Sequence, residues 1–204
     1  MSEPDGANRF DARFIVRLKR RDEHAFNELV LAYEMQVFRL VWRMLGTREE
    51  AEDMTQEVFV QVFKSIESFR GDSKISTWIY RIATNLTRNR AKYLSRRHQK
   101  SHSDIDGQEP KDLHNEAQGR TTGETRRPDW DAMGNQAEQI VIQCLDELDA
   151  EHREILVLRD VEGLSYDEVG SITELAPGTV KSRLHRARTL LKSEVEARLG
   201  GSKV

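Results

Sequence analysis

A chain of 204 residues can form one medium domain or two small ones, and 33% charged residues with only 12 glycines and 4 prolines favour helices with solvated faces over strands and tight turns. No apolar run approaches the roughly 20 residues a bilayer-spanning helix needs, and the opening MSEPDGANRFDARF lacks a secretion signal's apolar core. The expectation is a cytoplasmic, all-α protein that is not membrane-inserted. The net charge of −3 hides a segregation: residues 74–100 carry eight Lys or Arg and no acid, residues 176–192 carry five and no acid, and residues 49–63 carry five acids and no base. Two basic stripes and one acidic face suit polyanion binding in two places and a basic partner in a third.

In chain order, Phe10, Phe14, Ile15 and Leu18 predict a short first helix. Phe26, Leu29, Val30, Tyr33, Val37, Leu40, Val41 and Met44 predict a long second one ending at Gly46. Thr47 is placed to cap the third, with Glu50 completing a capping box, and Val58, Phe59, Val62, Phe63 and Ile66 give that helix an apolar face. A loop, Phe69-Arg-Gly-Asp-Ser73, leads into a fourth helix through about Arg97. Residues 98–134 are polar and contain Pro110 and Pro128, too little apolar surface to offset the entropy of ordering, and read as a flexible linker. Helical patterning resumes near Gln136 and predicts about four more helices.

The sole cysteine, Cys144, excludes an internal disulfide and a multi-cysteine zinc site. Set among Ile140, Val141, Leu145 and Leu148 at helical spacing, it reads as a small core residue. No set of ligand spacings calls for a metal or other cofactor, and no catalytic residue is identified. The acidic cluster of residues 49–57 lacks a histidine partner and is better read as a partner-binding face than as an enzyme's acid and base.

Leu164 to Leu175 and Pro177 to Arg188 predict two helices joined by a short turn, a helix-turn-helix. Ser165 is a good N-cap with Glu168 at the capping-box position, and Pro177 suits a first turn. On the second helix Val180, Leu184, Ala187 and Leu191 share one face. Ser182, His185, Arg186 and Thr189 lie opposite, flanked by Lys181, Arg188 and Lys192. Hydrogen-bonding side chains rimmed by cations can read base edges and hold phosphates. Arg183 projects nearer the core edge, toward a phosphate or an intradomain contact. In the fourth helix Ile75, Ile79, Ile82, Ala83 and Leu86 face the core, and Lys74, Thr77, Arg81, Asn85, Arg88 and Lys92 share the opposite face. With Phe69, Trp78 and Tyr80 beside them, these cations suit unpaired DNA, although each aromatic is also an ordinary core candidate. On these residues alone, a dimeric helix-turn-helix repressor also stands open; it would leave the acidic face and the aromatic, basic helix without a role.

Asp53-Met-Thr-Gln-Glu57-Val-Phe59, the Phe69-Arg-Gly-Asp-Ser73 loop, Thr77-Trp-Ile-Tyr-Arg-Ile-Ala83 with Asn85, Gly163-Leu-Ser-Tyr-Asp-Glu168 and Gly178-Thr-Val-Lys-Ser-Arg-Leu-His-Arg-Ala-Arg188 together resemble the extracytoplasmic-function sigma factors of the sigma-70 family, particularly the sigma-E-like envelope-stress type. The resemblance covers about residues 10–97 and 135–195, in the family's order. It implies a region 2 domain in residues 1–97, the linker in 98–134, and a region 4 helix-turn-helix domain in 135–204. It implies core RNA polymerase and promoter DNA as partners, a cognate anti-sigma factor, a role in stress-responsive transcription initiation and no enzymatic activity.

By the same resemblance, Asp53, Gln56, Glu57 and Phe59 fall on the polymerase-binding surface. Phe69, Arg70, Asp72, Ser73, Lys74, Trp78, Arg81, Asn85 and Arg88 fall on the −10 DNA surface, and Lys181, Ser182, Arg183, His185, Arg186 and Arg188 on the −35 surface. The sequence departs from the family at Glu174 and Ala176-Pro177, where many members have Gly and then Pro-Val. A non-glycine residue in a left-handed turn costs about 1 kcal/mol, so either the turn differs or the strain is tolerated.

Overall fold

The computed structural model describes residues 10–103 and 136–200, with side chains for 10–97 and 140–199. Among the described residues the chain is helical, with no strand. Four helices build the N-terminal half: α1 (Ala12–Lys19), α2 (Glu23–Leu45), α3 (Arg48–Ser65) and α4 (Ile75–Ser103). Asp11 starts α1 by accepting from the Phe14 amide at 2.8 Å, and Asp22 starts α2 by accepting from the Ala25 amide at 2.9 Å. Gly46, at φ +78°, ends α2 in the left-handed conformation that a missing Cβ makes accessible. Leu29, Val37, Leu40 and Val41 from α2 interlock with Met54, Val58 and Val62 from α3 and Ile75, Ile79 and Ala83 from α4; α1 adds Phe14 and Leu18.

The capping box expected at the start of α3 does not form. Thr47 holds the N-cap backbone position but its hydroxyl makes no cap bond. Glu50 is drawn away by α4, where the Arg90 guanidinium donates to both its carboxylate oxygens at 2.5 and 2.9 Å. A bidentate charged pair outcompetes a single bond to a backbone amide.

Helix α4 continues to Ser103, six residues past the boundary expected at Arg97, and the rest of the expected linker, residues 104–134, lies outside the described residues. The C-terminal half comprises α5 (Gln136–Glu147), α6 (Ala150–Leu156), α7 (Tyr166–Thr173) and α8 (Pro177–Gly200), with a π-helical turn, Val157–Val161, extending α6. Asp149 and Ser165 cap α6 and α7, and Ser165 with Glu168 forms the full capping box expected for α7. Leu148, Ile155, Leu158, Val169, Ile172, Val180, Leu184 and Ala187 form the core of this half, with Cys144 wholly buried nearby.

The turn between α7 and α8 resolves the alternative left open at Glu174. The residue sits at φ +60°, ψ 31°, so the left-handed turn is kept and the strain is tolerated. The turn is tight at Gly170 as well, where an added Cβ would lie 3.0 Å from the Leu175 carbonyl oxygen. Glu174→Gly should therefore stabilise the chain by about 0.5–1 kcal/mol, read as a higher urea midpoint at unchanged slope. Glu174→Ala, which keeps the strain and removes the charge, should give none of that gain; an equal gain from both would assign the effect to charge.

Candidate nucleic-acid interface

Helix α8 presents its polar face because Val180, Leu184 and Ala187 are sealed into the core beneath it. Lys181, Ser182, His185, Arg186 and Thr189 are all exposed. The Ser182 hydroxyl donates to the Thr179 carbonyl at 3.1 Å and that of Thr189 to the His185 carbonyl at 3.0 Å, local bonds that a competing acceptor can exchange. His185 and Arg186 carry no such tie and stand free at the centre of the face. Of the two contacts expected for Arg183, a phosphate or one within the domain, the structure shows the second, an ion pair with Glu151 at 2.8 Å. Arg188 forks onto Asp160 of the π-helical turn at 2.5 and 2.9 Å. Lys181 lies over the Tyr166 ring, 5.8 Å from its centre, with Arg159 4.9 Å from the same ring.

On α3, Asp53, Gln56 and Glu57 are exposed side by side, and Phe59 is buried below them. Beside this acidic strip, Phe26, Val30, Phe59, Val60 and Phe63 line an open, apolar groove of about 480 Å³. Val60, 50% exposed, and the groove itself are not among the expected site residues. Their signal was present: Val60 follows Val58 and Phe59 on a helix whose core face already accounts for the latter two.

The third surface is α4 with the loop before it. Gly71, at φ +84°, turns the loop and leaves Arg70, Asp72 and Lys74 exposed with Ser73 half-buried. Phe69 is only 4% exposed and packs tilted against the half-buried Trp78, ring centres 5.3 Å apart. Asn85 is exposed. Lys92 is exposed as well, but Thr77, Arg81 and Arg88 are not open to solvent as the helical spacing suggests, because the C-terminal half lies on them. The Arg88 Nε donates to Glu154 at 2.7 Å, with a second guanidinium bond to the other oxygen. Arg81 donates to the Ser171 carbonyl at 2.7 Å and to its hydroxyl oxygen. The Lys74 ammonium stands 3.3 Å from Glu168, and Thr77 and Tyr80 donate to Glu168 and Glu162 at 3.4 and 3.2 Å.

These contacts set the electrostatics of the seam. The hydrogen-bonded Glu154 carboxylate holds the Arg88 guanidinium above its ordinary value. Burial alone pushes Glu168 up, but donors from Ser165 and Lys74 together bring it below the usual carboxylate range. Burial pushes Glu162 up, against the opposing influence of Arg39, Tyr80 and Arg43. Glu154, Glu162, Glu168 and Ser171 were not expected at this site; nothing in a helical period announces contacts 66 to 94 residues away along the chain. Among the described residues no group of His, Cys, Asp and Glu could hold a metal ion, and no helix is long and apolar enough to cross a membrane.

Residues 29–97 match the family description "Sigma-70 region 2" and residues 138–191 match "Sigma-70, region 4". The chain is 33% identical to the ECF RNA polymerase sigma-E factor of Escherichia coli K12 over 186 residues, which is 91% of this chain and 94% of that protein. Its fold is similar to CnrH, solved in complex with the cytosolic domain of CnrY (TM-score 0.63, 19% identity, 91% of this chain and 96% of that one). It is similar also to the sigma factor RpoE of Bartonella quintana, solved with the anti-sigma factor NepR (TM-score 0.58, 22% identity, 84% and 96%). Both matched regions, in this order and over nearly the whole length of the Escherichia coli relative, make the chain a member of the extracytoplasmic-function sigma factors of the sigma-70 family, which act in transcription initiation.

Proposed function

We propose that this sigma factor binds core RNA polymerase through α3, reads duplex −35 DNA with α8, and captures unpaired −10 bases with α4 and its preceding loop. On this reading residues 1–97 are the polymerase-binding and melting domain, 98–134 the linker and 135–204 the −35 domain, and polymerase supplies all nucleotide chemistry. The observation that carries it is the α8 face: three sealed anchors hold four hydrogen-bonding side chains outward, with Lys181 at one end, and no carboxylate intrudes among them. That arrangement combines base-edge readout with phosphate attraction. On α3, the Asp53, Gln56 and Glu57 strip beside the Phe59 groove offers a basic, partly apolar partner both complementary charge and a place for a side chain. Because the similar sigma factor RpoE was solved with the anti-sigma factor NepR, and CnrH with the cytosolic domain of CnrY, we include an anti-sigma factor among this chain's partners.

Reversing charge with Asp53→Lys and Glu57→Lys should weaken association with core polymerase about tenfold or more, since both side chains are exposed and their loss leaves the helical core intact. Fluorescence anisotropy of the labelled chain titrated with core enzyme measures this, with circular dichroism reporting the fold; undiminished affinity removes α3 from the interface.

On α8, His185→Ala and Arg186→Ala should each cost about 1–3 kcal/mol on the preferred −35 sequence and much less on a mismatched one. Lys192→Ala should instead lower affinity uniformly and reduce the salt slope by about one. Binding of the holoenzyme to a −35 library distinguishes the two patterns, and uniform loss in all three variants would reassign His185 and Arg186 to the phosphate backbone.

Asn85→Ala, at an exposed site, should impair promoter opening more than initial binding, by about 1–3 kcal/mol. Permanganate reactivity of duplex and pre-opened templates reads the difference; full opening of the duplex by the variant counts against base capture at Asn85.

A further inference from the structure

We propose that the cleft lined by α4, α6 and α8 is a binding site for a nucleoside polyphosphate, a small ligand distinct from promoter DNA. The cleft has a volume of about 770 Å³, inside the roughly 300–1,000 Å³ range of small-molecule sites. Its charge is one-sided. Arg88, Lys92 and Arg96 of α4 and Arg183 of α8 line it, against the two carboxylates Glu151 and Glu154. Arg153 lines it too, but its guanidinium is taken up by the Leu145, Met44 and Leu148 carbonyls at 3.0, 3.1 and 3.0 Å, so it holds the wall and not a ligand.

Arg88, Lys92 and Arg96 recur every four residues, so their side chains follow one another along one side of α4 at a rise of roughly 6 Å per step. Glu154 neutralises Arg88, whereas Lys92 and Arg96 are exposed and form no ion pair among the described residues. From the other wall Arg183 meets Glu151 at 2.8 Å, and with Glu151 70% exposed the pair is weak enough for a more highly charged anion to replace. Three cations on two walls thus lack a strong partner, an arrangement that suits linked phosphates better than a single carboxylate. The rest of the lining is of the other kind: Met44, Ala91, Ile155 and Leu175 are apolar. An inorganic anion has nothing to place against them, and an apolar acid has no use for three cations. A nucleoside polyphosphate answers both, with its base on the apolar lining and its phosphates among Lys92, Arg96 and Arg183.

Isothermal titration calorimetry of the full chain in magnesium-free buffer tests this, with ATP as the probe and inorganic tripolyphosphate and adenosine as the two parts of its chemistry. The expected result is one ATP per chain, bound about tenfold more tightly than tripolyphosphate, with adenosine giving no heat at the same concentration. Lys92→Ala, Arg96→Ala and Arg183→Ala should each weaken ATP binding about fivefold, and Lys92→Arg should restore it. Arg97→Ala, one residue beyond Arg96 and outside the cleft lining, should leave it unchanged. Glu151→Gln removes the anion that competes for Arg183 and should tighten ATP binding, a gain that a merely structural role for the pair does not produce.

Circular dichroism checks the fold of each variant; should Arg183→Ala fold poorly, Glu151→Gln carries the test of that wall. No ATP binding at millimolar concentration overturns the proposal. So does an equal loss in Arg97→Ala, which reduces the effect to general attraction by a basic helix, or loss confined to the α4 variants, which puts the ligand on one helix and not in the cleft. Tripolyphosphate binding as tightly as ATP overturns the nucleoside assignment, since the apolar lining then contributes nothing.

Discussion

The bidentate pair of Arg88 and Glu154 is where the two halves of this chain are held to one another most specifically. Glu154 is nearly sealed from solvent, and its oxygens are satisfied only by a guanidinium that arrives from 66 residues earlier. Removing one partner of such a pair typically costs about 3–5 kcal/mol, mostly because the other charge is stranded, while an apolar pair of the same shape would hold as well or better. A charged fork is therefore a poor choice for mere adhesion and a good one for a contact that must have a single register. The rest of the seam follows: Arg81 reaches the end of the adjacent turn of α7, Lys74 meets its first turn, and Tyr80 meets the π-helical turn.

The π-helical turn and the strained Glu174 bracket α7 and set its position. At Val157–Val161 the helix of α6 widens, and the Glu162 amide donates back to the Val157 carbonyl at 2.9 Å, five residues away. This places Glu162 toward Tyr80 and Asp160 toward Arg188, so one local irregularity serves both the seam and the base of the α8 face. At the other end, the left-handed turn at Glu174 lets Pro177 open α8 directly, with Gly170 small enough for the Leu175 carbonyl to pass. Backbone strain of about 1 kcal/mol is small beside the burial of Val180, Leu184 and Ala187 that the turn makes possible.

Helix positions and core faces were legible in the sequence because apolar spacing at 3.6 residues is a local property. The Asp11 and Asp22 caps, the Gly46 stop and the Ser165 capping box obey equally local rules, and of these the last two were read in advance. The α8 face was legible for the same reason: knowing that Val180, Leu184 and Ala187 are inside determines that Ser182, His185 and Arg186 are outside. Thr47 shows where such rules fail. The capping box there is locally correct, but Glu50 belongs to Arg90, 40 residues on. The polar face of α4 fails in the same way, since periodicity says which residues point away from one core and not whether a second surface waits for them. Thr77, expected on an open face, is 2% exposed because α7 lies over it.

That second surface changes how charge segregation is to be understood. A stripe of cations with no acids is ordinarily read as awaiting an external polyanion; in residues 176–192 Arg186 fits that reading, free beside His185, while Arg183, Arg188 and Lys192 are paired with Glu151, Asp160 and Glu196. Residues 74–100 carry a longer stripe at the same density, and there Lys74 and Arg88 are neutralised by Glu168 and Glu154 in the other half and Arg90 by Glu50 in its own. The two surfaces differ in cover: the centre of the α8 face is open, whereas Thr77, Arg81 and Arg88 of α4 lie under the C-terminal half.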